Sequence, residues 1–259
     1  MTEESIIWPG KIGRCGLLSE VPAVALSDQG VRIAQGSSSY PAETHALAVA
    51  TTTILDLARF GAAPLVRQPF DHLILPGFIA AAALPALNKD FPAIAKGGSY
   101  PTESLKFGGA FAALVEELES DAMRRAFARK FDIDLEGRPV MITVRGHTRA
   151  KDGRIHTDSK TKLLTALLYF NDDWSAEGGR LRLLRSSRDL EDYAAEVPPD
   201  KGTLLAFRCT ENAWHGHKPF VGPRRTIQIN WVTSEAVKQR EIARHSFSAR
   251  VKSLLGARA

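Results

Sequence analysis

Long hydrophobic runs, spaced cysteine pairs and a secretory leader are all missing from this sequence, and each absence narrows its interpretation. The nearest approach to a membrane span, FIAAAALPAL from Phe78, is short and contains Pro85, whereas a spanning helix needs about 20 apolar residues. The two cysteines, Cys15 and Cys209, lie far apart and form no metal-spaced pair. The first residues, MTEESIIWPGK, lack the basic start and apolar core of a secretory signal. We therefore expect a cytoplasmic protein without a membrane partner.

The composition is that of an ordinary globular protein with an unevenly placed charge. The chain has 259 residues, of which 44% are hydrophobic and 24% charged, so it can bury a substantial core. The net charge of +5 resides in residues 237–259, which carry six Lys or Arg and one acid. Basic residues there do not alternate with stacking aromatics, so we do not expect a nucleic-acid partner. Apolar residues recur at helical spacing and predict a terminal helix with a solvated basic face: Ala243, Phe247, Val251 and Leu254.

Local patterns divide the chain into three segments. Residues 1–66 read as an N-terminal extension that is partly loop, with a helix through THALAVATTTILDLARFG. Residues 67–235 begin with helical patterns and continue after Gly137 as short strands separated by turn residues. Residues 236–259 form the basic C-terminal helix. Strands without intervening crossover helices favour an antiparallel sheet system. The predicted fold class is α+β, mainly β: a double-stranded β-helix, or jelly roll, with supporting helices on one outer face.

The stretch RIHTDSK contains a His-x-Asp triplet, His156 and Asp158. On an extended strand these two side chains project to the same face, where they can ligate a divalent metal or form a simple hydrogen-bonded pair. Oxygen chemistry at a metal needs a third ligand and vacant positions, as in the 2-His-1-carboxylate triad of non-haem Fe(II) enzymes. About sixty residues later, ENAWHGHKPF offers His215 and His217. Either can complete a site, because strands distant in sequence become neighbours in a jelly roll.

Five motifs follow one another between Val140 and Trp231: HTD, TALLYFN, DDW, GGRLR, and HGHKP leading into PRR. In this order and spacing they resemble the catalytic core of the Fe(II)/2-oxoglutarate-dependent dioxygenases, in particular the prolyl-4-hydroxylase-like branch. The resemblance covers the last third to half of the chain.

The resemblance implies iron ligation by His156, Asp158 and His215. It prefers His215 to His217 because His215 stands four residues before Pro219, as in the family's H-x-x-x-P motif. It also implies 2-oxoglutarate as cosubstrate, chelating Fe(II) through its 2-oxo acid end, and O2 as the oxidant.

The distant carboxylate of 2-oxoglutarate requires a cation, and a guanidinium suits it best. The family places this basic residue about nine or ten positions after the last histidine, which Arg224 and Arg225 both satisfy. Strand alternation puts Arg224 and Thr226 on the inward face, so Arg224 is favoured and Arg225 is the alternative. By resemblance, Tyr169 donates to the same carboxylate and Thr165 lines its pocket.

The implied activity is hydroxylation of a C–H bond in an unidentified peptide, prolyl or small-molecule substrate, with release of succinate and CO2. A cupin-like jelly roll that binds a metal or ligand without redox turnover is the alternative. A degenerate oxygenase, or a nucleic-acid protein with an auxiliary jelly roll, are more remote interpretations. Four other histidines are expected at the surface, at strand ends or in the core: His45, His72, His147 and His245.

Overall fold

The computed structural model describes residues 53–256, and its side chains through residue 245. Most of the predicted N-terminal extension therefore lies outside the described residues, as does His45. The helices are α1 (Leu57–Ala62), α2 (Leu84–Asp90), α3 (Gly109–Glu119), α4 (Asp121–Phe131) and α5 (Glu235–Gly256). The strands are β1 (His72–Leu75), β2 (Tyr100–Pro101), β3 (Val140–Thr148), β4 (Lys162–Tyr169), β5 (Leu181–Leu184), β6 (Tyr193–Val197), β7 (Leu204–Arg208), β8 (His215–Gly216) and β9 (Gly222–Val232).

These strands form two sheets, and every pair of named strands is antiparallel. The larger sheet has the order β1-β7-β4-β9-β3-β2, and the smaller has the order β6-β5-β8. Apart from the pairs β2-β3 and β5-β6, neighbouring strands are not consecutive in the chain, as expected when a chain winds between two facing sheets. The predicted jelly roll is confirmed.

The outer face of the larger sheet packs against the helices. Leu164, Leu168 and Trp231 point to this side and belong to the same buried core as the helical residues. The Phe127 ring of α4 lies 5.0 Å from the indole of Trp231 and stacks at 4.3 Å on Phe60 of α1. Residues near 55–62 thus pack into this core, although the sequence assigned them to the extension. The supporting helices lie on the predicted face.

The inner face of the larger sheet faces the smaller sheet and is partly polar. Near β1 and β7 it is apolar, where Phe207 packs in a core with Leu183 and Val197 of the smaller sheet. Along β4 and β9 it carries Thr165 and Asn230, which are buried although polar. A buried polar strip of this kind is costly unless its groups are hydrogen-bonded, and it marks the floor of the cavity described below.

Helix α5 follows β9 and covers one side of the larger sheet, contacting β2, β3 and β9. Val237 is its buried anchor, and Ile242 and His245 are partly buried. Ala243 is exposed, so the predicted apolar stripe was wrong at this position; the helix turns a different face inward because β9 fixes its starting direction. The other stripe residues lie beyond the described side chains. Among the helices of residues 53–256, none has the length and apolar character of a membrane span.

Candidate active site

A cavity of about 220 Å³ lies between the inner face of the larger sheet and the smaller sheet. Its walls include His156, Asp158 and His215 as well as Arg224 and Thr226. The jelly roll thus brings together groups that are up to about seventy residues apart in the sequence.

The two histidines of the metal-binding cluster are positioned by the backbone. His156 and His215 exchange both backbone hydrogen bonds, each 3.0 Å long, and their ring centroids lie 4.3 Å apart. Each Nδ1–H donates to a carbonyl two residues earlier, at 2.8 Å to Arg154 and 2.9 Å to Ala213. Because Nδ1 is occupied, Nε2 of each ring is free to face a metal.

Asp158 completes the cluster. One ligand atom from each of His156, Asp158 and His215 lies within 4.8 Å of the others. Two imidazoles and one carboxylate form the facial donor set that non-haem Fe(II) uses, and three protein ligands leave positions vacant for cosubstrate and oxygen. The donor chemistry and the placement therefore fit iron.

The carboxylate of Asp158 is held on both oxygens. Lys162 Nζ donates to Oδ1 at 2.8 Å, and Thr165 Oγ1 donates to Oδ2 at 2.5 Å. Thr165 in turn accepts from Asn230 at 2.7 Å, and Asn230 accepts from Gln228 at 3.1 Å. The buried strip on the sheet is thus a continuous hydrogen-bonded chain that ends on the candidate ligand. Thr165 lines the cavity, as the sequence predicted, but its hydroxyl is committed to Asp158.

The protonation states of Asp158 and His215 both suit metal binding at neutral pH. Burial opposes ionisation of Asp158, but the charges of Lys162 and His215 outweigh it and lower the pKa of Asp158 to about 2. Burial, and then the neighbouring His156, lowers the pKa of His215 to about 4. An ionised carboxylate and a neutral imidazole are the forms that bind a metal.

Arg224 and Tyr169 form a second polar group in the same fold. Arg224 is 5% exposed; its Nε donates to the Gly179 carbonyl at 2.8 Å and its Nη1 to Thr226 Oγ1 at 3.3 Å. Its guanidinium carbon lies 5.3 Å from the Tyr169 ring centroid. Among the described residues, the buried Tyr169 hydroxyl has no hydrogen-bond partner. A buried guanidinium beside an unpartnered phenol fits the distal carboxylate of 2-oxoglutarate, which would accept from both.

Residues 144–233 match the family model of the 2OG-Fe(II) oxygenase superfamily, a range that contains all five motifs. The match covers 90 of the 259 residues. Together with the cluster of His156, Asp158 and His215, it supports Fe(II) and 2-oxoglutarate as the cofactors of a hydroxylase. No curated protein matches the chain.

Several solved structures are similar to this chain. A prolyl-4-hydroxylase from Pseudomonas putida shares 18% identity at a TM-score of 0.46, over 62% of this chain and 92% of the other. A viral collagen prolyl hydroxylase from Paramecium Bursaria Chlorella virus-1 shares 13% at 0.43, over 66% and 94%. HygX from Streptomyces hygroscopicus with iron bound shares 13% at 0.44, over 63% and 82%.

Arg225, the alternative cosubstrate residue, lies on the other face of β9. Its guanidinium is 5.5 Å from the Phe91 ring and its Nη1 is 3.5 Å from Asn88 Oδ1, outside the cavity. Its backbone N–H donates to Asn171, a residue of the TALLYFN motif. The alternation of β9 therefore directs Arg224 inward and Arg225 outward.

His217, the alternative third histidine, lines the cavity but is absent from the metal-binding cluster. Its Nδ1 donates to the Lys218 carbonyl at 2.8 Å. The ring packs over Gly153, where a Cβ would lie 2.3 Å from it; Gly153 has φ +87°, so this turn favours glycine. Burial, and then Arg224, lowers the pKa of His217 to about 4.

The sequence analysis did not place Arg145, Lys162 or His245 in the cavity, although all three line it. Period-two alternation along β3 could have placed Arg145 on the inner face, but His245 carries no local signal because its position depends on how α5 packs. His245 is partly buried and lines the cavity. The expectation of a surface or core role is right for His72, which is 3% exposed and bonds the Phe70 carbonyl at 2.8 Å.

Replacement of Thr165 by valine should weaken metal binding. The substitution preserves shape but removes the hydroxyl that fixes Asp158, and loss of such a supporting hydrogen bond typically lowers metal affinity by about 10- to 100-fold. Titration of the protein with Mn(II) or Fe(II), without cosubstrate, measures this. Thr165→Ser should recover most of the affinity, and Thr210→Val, at an exposed threonine, should leave it unchanged. Equal affinity in Thr165→Val and wild type would contradict the role.

The metal-free protein should lose stability as the pH falls from about 6.5 to about 4. His215 and His217 have folded pKa values of about 4 against 6.5, so in this window the unfolded state binds more protons. The free energy of unfolding should fall by on the order of 1–3 kcal/mol per imidazole. The Asp158 contribution is present above pH 3.8 and is lost only as the pH falls through about 2. Urea unfolding across this range tests the trend. It should be shallower in His217→Gln, and a flat profile would refute it.

Proposed function

We propose that the chain hydroxylates a C–H bond of its substrate while 2-oxoglutarate and O2 are converted to succinate and CO2. One oxygen atom enters the substrate as a hydroxyl, and the other enters succinate. The observation that supports this most directly is the coexistence of two polar groups in one fold. The His156, Asp158 and His215 cluster can hold Fe(II), and Arg224 with Tyr169 can hold a distal carboxylate.

The metal-binding residues would hold iron through His156 Nε2, His215 Nε2 and a carboxylate oxygen of Asp158. When bound, Fe(II) and 2-oxoglutarate supply the oxidative chemistry with O2. The protein's part is to keep the His215 imidazole neutral and the Asp158 carboxylate ionised, and to hold all three ligands in one arrangement before the metal binds. Lys162 forms an ion pair with Asp158, which both balances the charge of the carboxylate and supports its position.

Arg224 would orient the cosubstrate. Its guanidinium is fixed by the Gly179 carbonyl and Thr226, so little side-chain freedom remains to be lost when a carboxylate binds. The Tyr169 hydroxyl is a second donor beside it. Leu167 and Leu181 line the cavity between the two groups, and these apolar walls exclude water that would compete for the reacting positions.

The substrate is proposed more broadly, as a peptide or prolyl residue or a small molecule, and cytoplasmic residence also remains a proposal. A cupin-like jelly roll without redox turnover accounts for the histidines and Asp158. It gives no reason for a buried guanidinium and an unpartnered phenol in the same fold. Measurement of turnover distinguishes the two functions.

Wild-type protein supplied with Fe(II), 2-oxoglutarate and O2 should form succinate, detected by NMR or a coupled assay. His156→Ala and Asp158→Ala each remove a ligand, so succinate formation should fall by more than about 100-fold. His147→Ala, at the end of β3, is the matched control and should behave as wild type. Metal binding by the wild type without succinate formation would favour the cupin-like function instead.

Substitution of Arg224 and of Arg225, one at a time, should show which face of β9 binds 2-oxoglutarate. Arg224→Gln should raise the Michaelis constant for 2-oxoglutarate by about 10- to 100-fold, because charge-assisted hydrogen bonds contribute about 1.5–3 kcal/mol. Arg225→Gln should change it by less than about twofold, since its guanidinium lies outside the cavity. The opposite order would show that Arg225 holds the cosubstrate.

A further inference from the structure

Arg145 is a second guanidinium in the same cavity, and the functions assigned above do not use it. It projects from the inner face of β3 with Met141 and Thr143, and its strand partner on β9 is Thr226. Arg145 is partly buried. Burial, and then the charge of Arg224, lowers its pKa, yet a guanidinium stays protonated under such conditions.

Within residues 53–245, the Arg145 side chain forms no hydrogen bond or ion pair. Two acids lie near enough to influence it, Asp152 and Asp158. Asp152 receives Arg149 through both carboxylate oxygens, at 2.8 Å and 3.1 Å. Asp158 is held by Lys162 and belongs to the metal-binding cluster. Neither carboxylate is available to neutralise Arg145.

The other cations of the cavity each have an assigned anion. Lys162 pairs with Asp158, and Arg224 is matched to the distal carboxylate of 2-oxoglutarate. Arg244 of α5 is 68% exposed and pairs with Glu241. The two ends of 2-oxoglutarate are then both occupied, one on iron and one on Arg224. Arg145 is left as a cation facing the cavity without a counter-charge.

His245 of α5 lies in the same cavity and close enough to respond to Arg145. Burial and Arg244 contribute most to lowering the pKa of His245 to about 4, and Arg145 contributes further. At neutral pH His245 is therefore an uncharged hydrogen-bonding group on the side of the cavity that α5 covers. A cation with a neutral imidazole nearby is suited to a carboxylate.

We propose that Arg145 binds a carboxylate of the hydroxylated substrate, with His245 beside it, so that the substrate is a small carboxylic acid. This inference rests on the proposed function and specifies its substrate class. An internal prolyl residue of a peptide carries no anion and would leave Arg145 unpaired. A cavity of about 220 Å³ must also hold 2-oxoglutarate, and binding pockets of about 300–1,000 Å³ are usual, so the group entering beside the cosubstrate is small.

The test is calorimetric titration of the anaerobic protein loaded with Fe(II) and 2-oxoglutarate. The probes are free amino acids and N-acetyl amino acids, each compared with its primary amide, in which the carboxylate charge is absent. Wild type should bind at least one acid about tenfold more tightly than its amide. In Arg145→Gln the preference for the acid should disappear, while affinity for the amide changes by less than about twofold. Arg145→Lys should retain part of it, and Arg125→Gln, at an exposed ion pair on α4, all of it.

Three results would overturn the inference. Wild type binds no acid of the panel better than its amide; the preference persists in Arg145→Gln; or Arg145→Gln weakens 2-oxoglutarate as much as Arg224→Gln does, which would assign Arg145 to the cosubstrate. If Arg145→Gln does not fold, Arg145→Lys and the acid–amide comparison in wild type still decide.

Failure of the proposed function has a different signature. In that case the wild type forms no succinate from 2-oxoglutarate and O2, whether or not it binds Fe(II). The acid–amide comparison between wild type and Arg145→Gln, repeated on unloaded protein, then tests Arg145 by itself. Normal succinate formation together with no acid preference would reject only the carboxylate subsite.

Discussion

The pair of backbone hydrogen bonds between His156 and His215 is the constraint on which the rest of the site depends. Two residues about sixty positions apart are held as direct antiparallel partners at 3.0 Å, so both imidazoles occupy one edge of the cavity. His215 is also paired with Leu183 of the smaller sheet, which fixes its strand from the other side. Strand pairing therefore fixes the positions of the two histidine ligands before a metal binds, so metal binding requires little further ordering of these side chains.

The larger sheet contacts the helical core on one face and the cavity on the other, because side chains alternate between the two faces of each strand. Along β9, Ile229 and Trp231 join the helical core, while Gln228 and Asn230 face the cavity. Polar groups buried on the inner face would destabilise the fold if they were unpaired. Here they donate in sequence to one another and finally to Asp158, so the network that satisfies them also positions the carboxylate.

The sequence predicted what depends on motif and period, and missed what depends on packing between distant elements. The shared direction of His156 and Asp158 and the inward face of Arg224 follow from spacing along extended chain, whereas the choice of His215 follows from the resemblance to the family's H-x-x-x-P motif. The hydrogen bond from Asn230 to Thr165 required the register between β4 and β9. The exposure of Ala243 and the inward position of His245 required the direction in which α5 leaves β9, for which no local pattern exists. Domain boundaries, including the one at residue 67, stay predictions.

The positive charge of Arg145 and Arg224 is the property of the cavity that is best explained by a bound anion. Arg145 on β3 is paired with Thr226 of β9, two positions from Arg224, and the charge of Arg224 lowers the pKa of Arg145. Neither has an acid of its own among the described residues. Two guanidinium groups without counter-charges do not stabilise the fold. Features of this kind are concentrated at sites that bind ligands. A carboxylate of 2-oxoglutarate balances the charge of Arg224, and a second anion is required to balance the charge of Arg145.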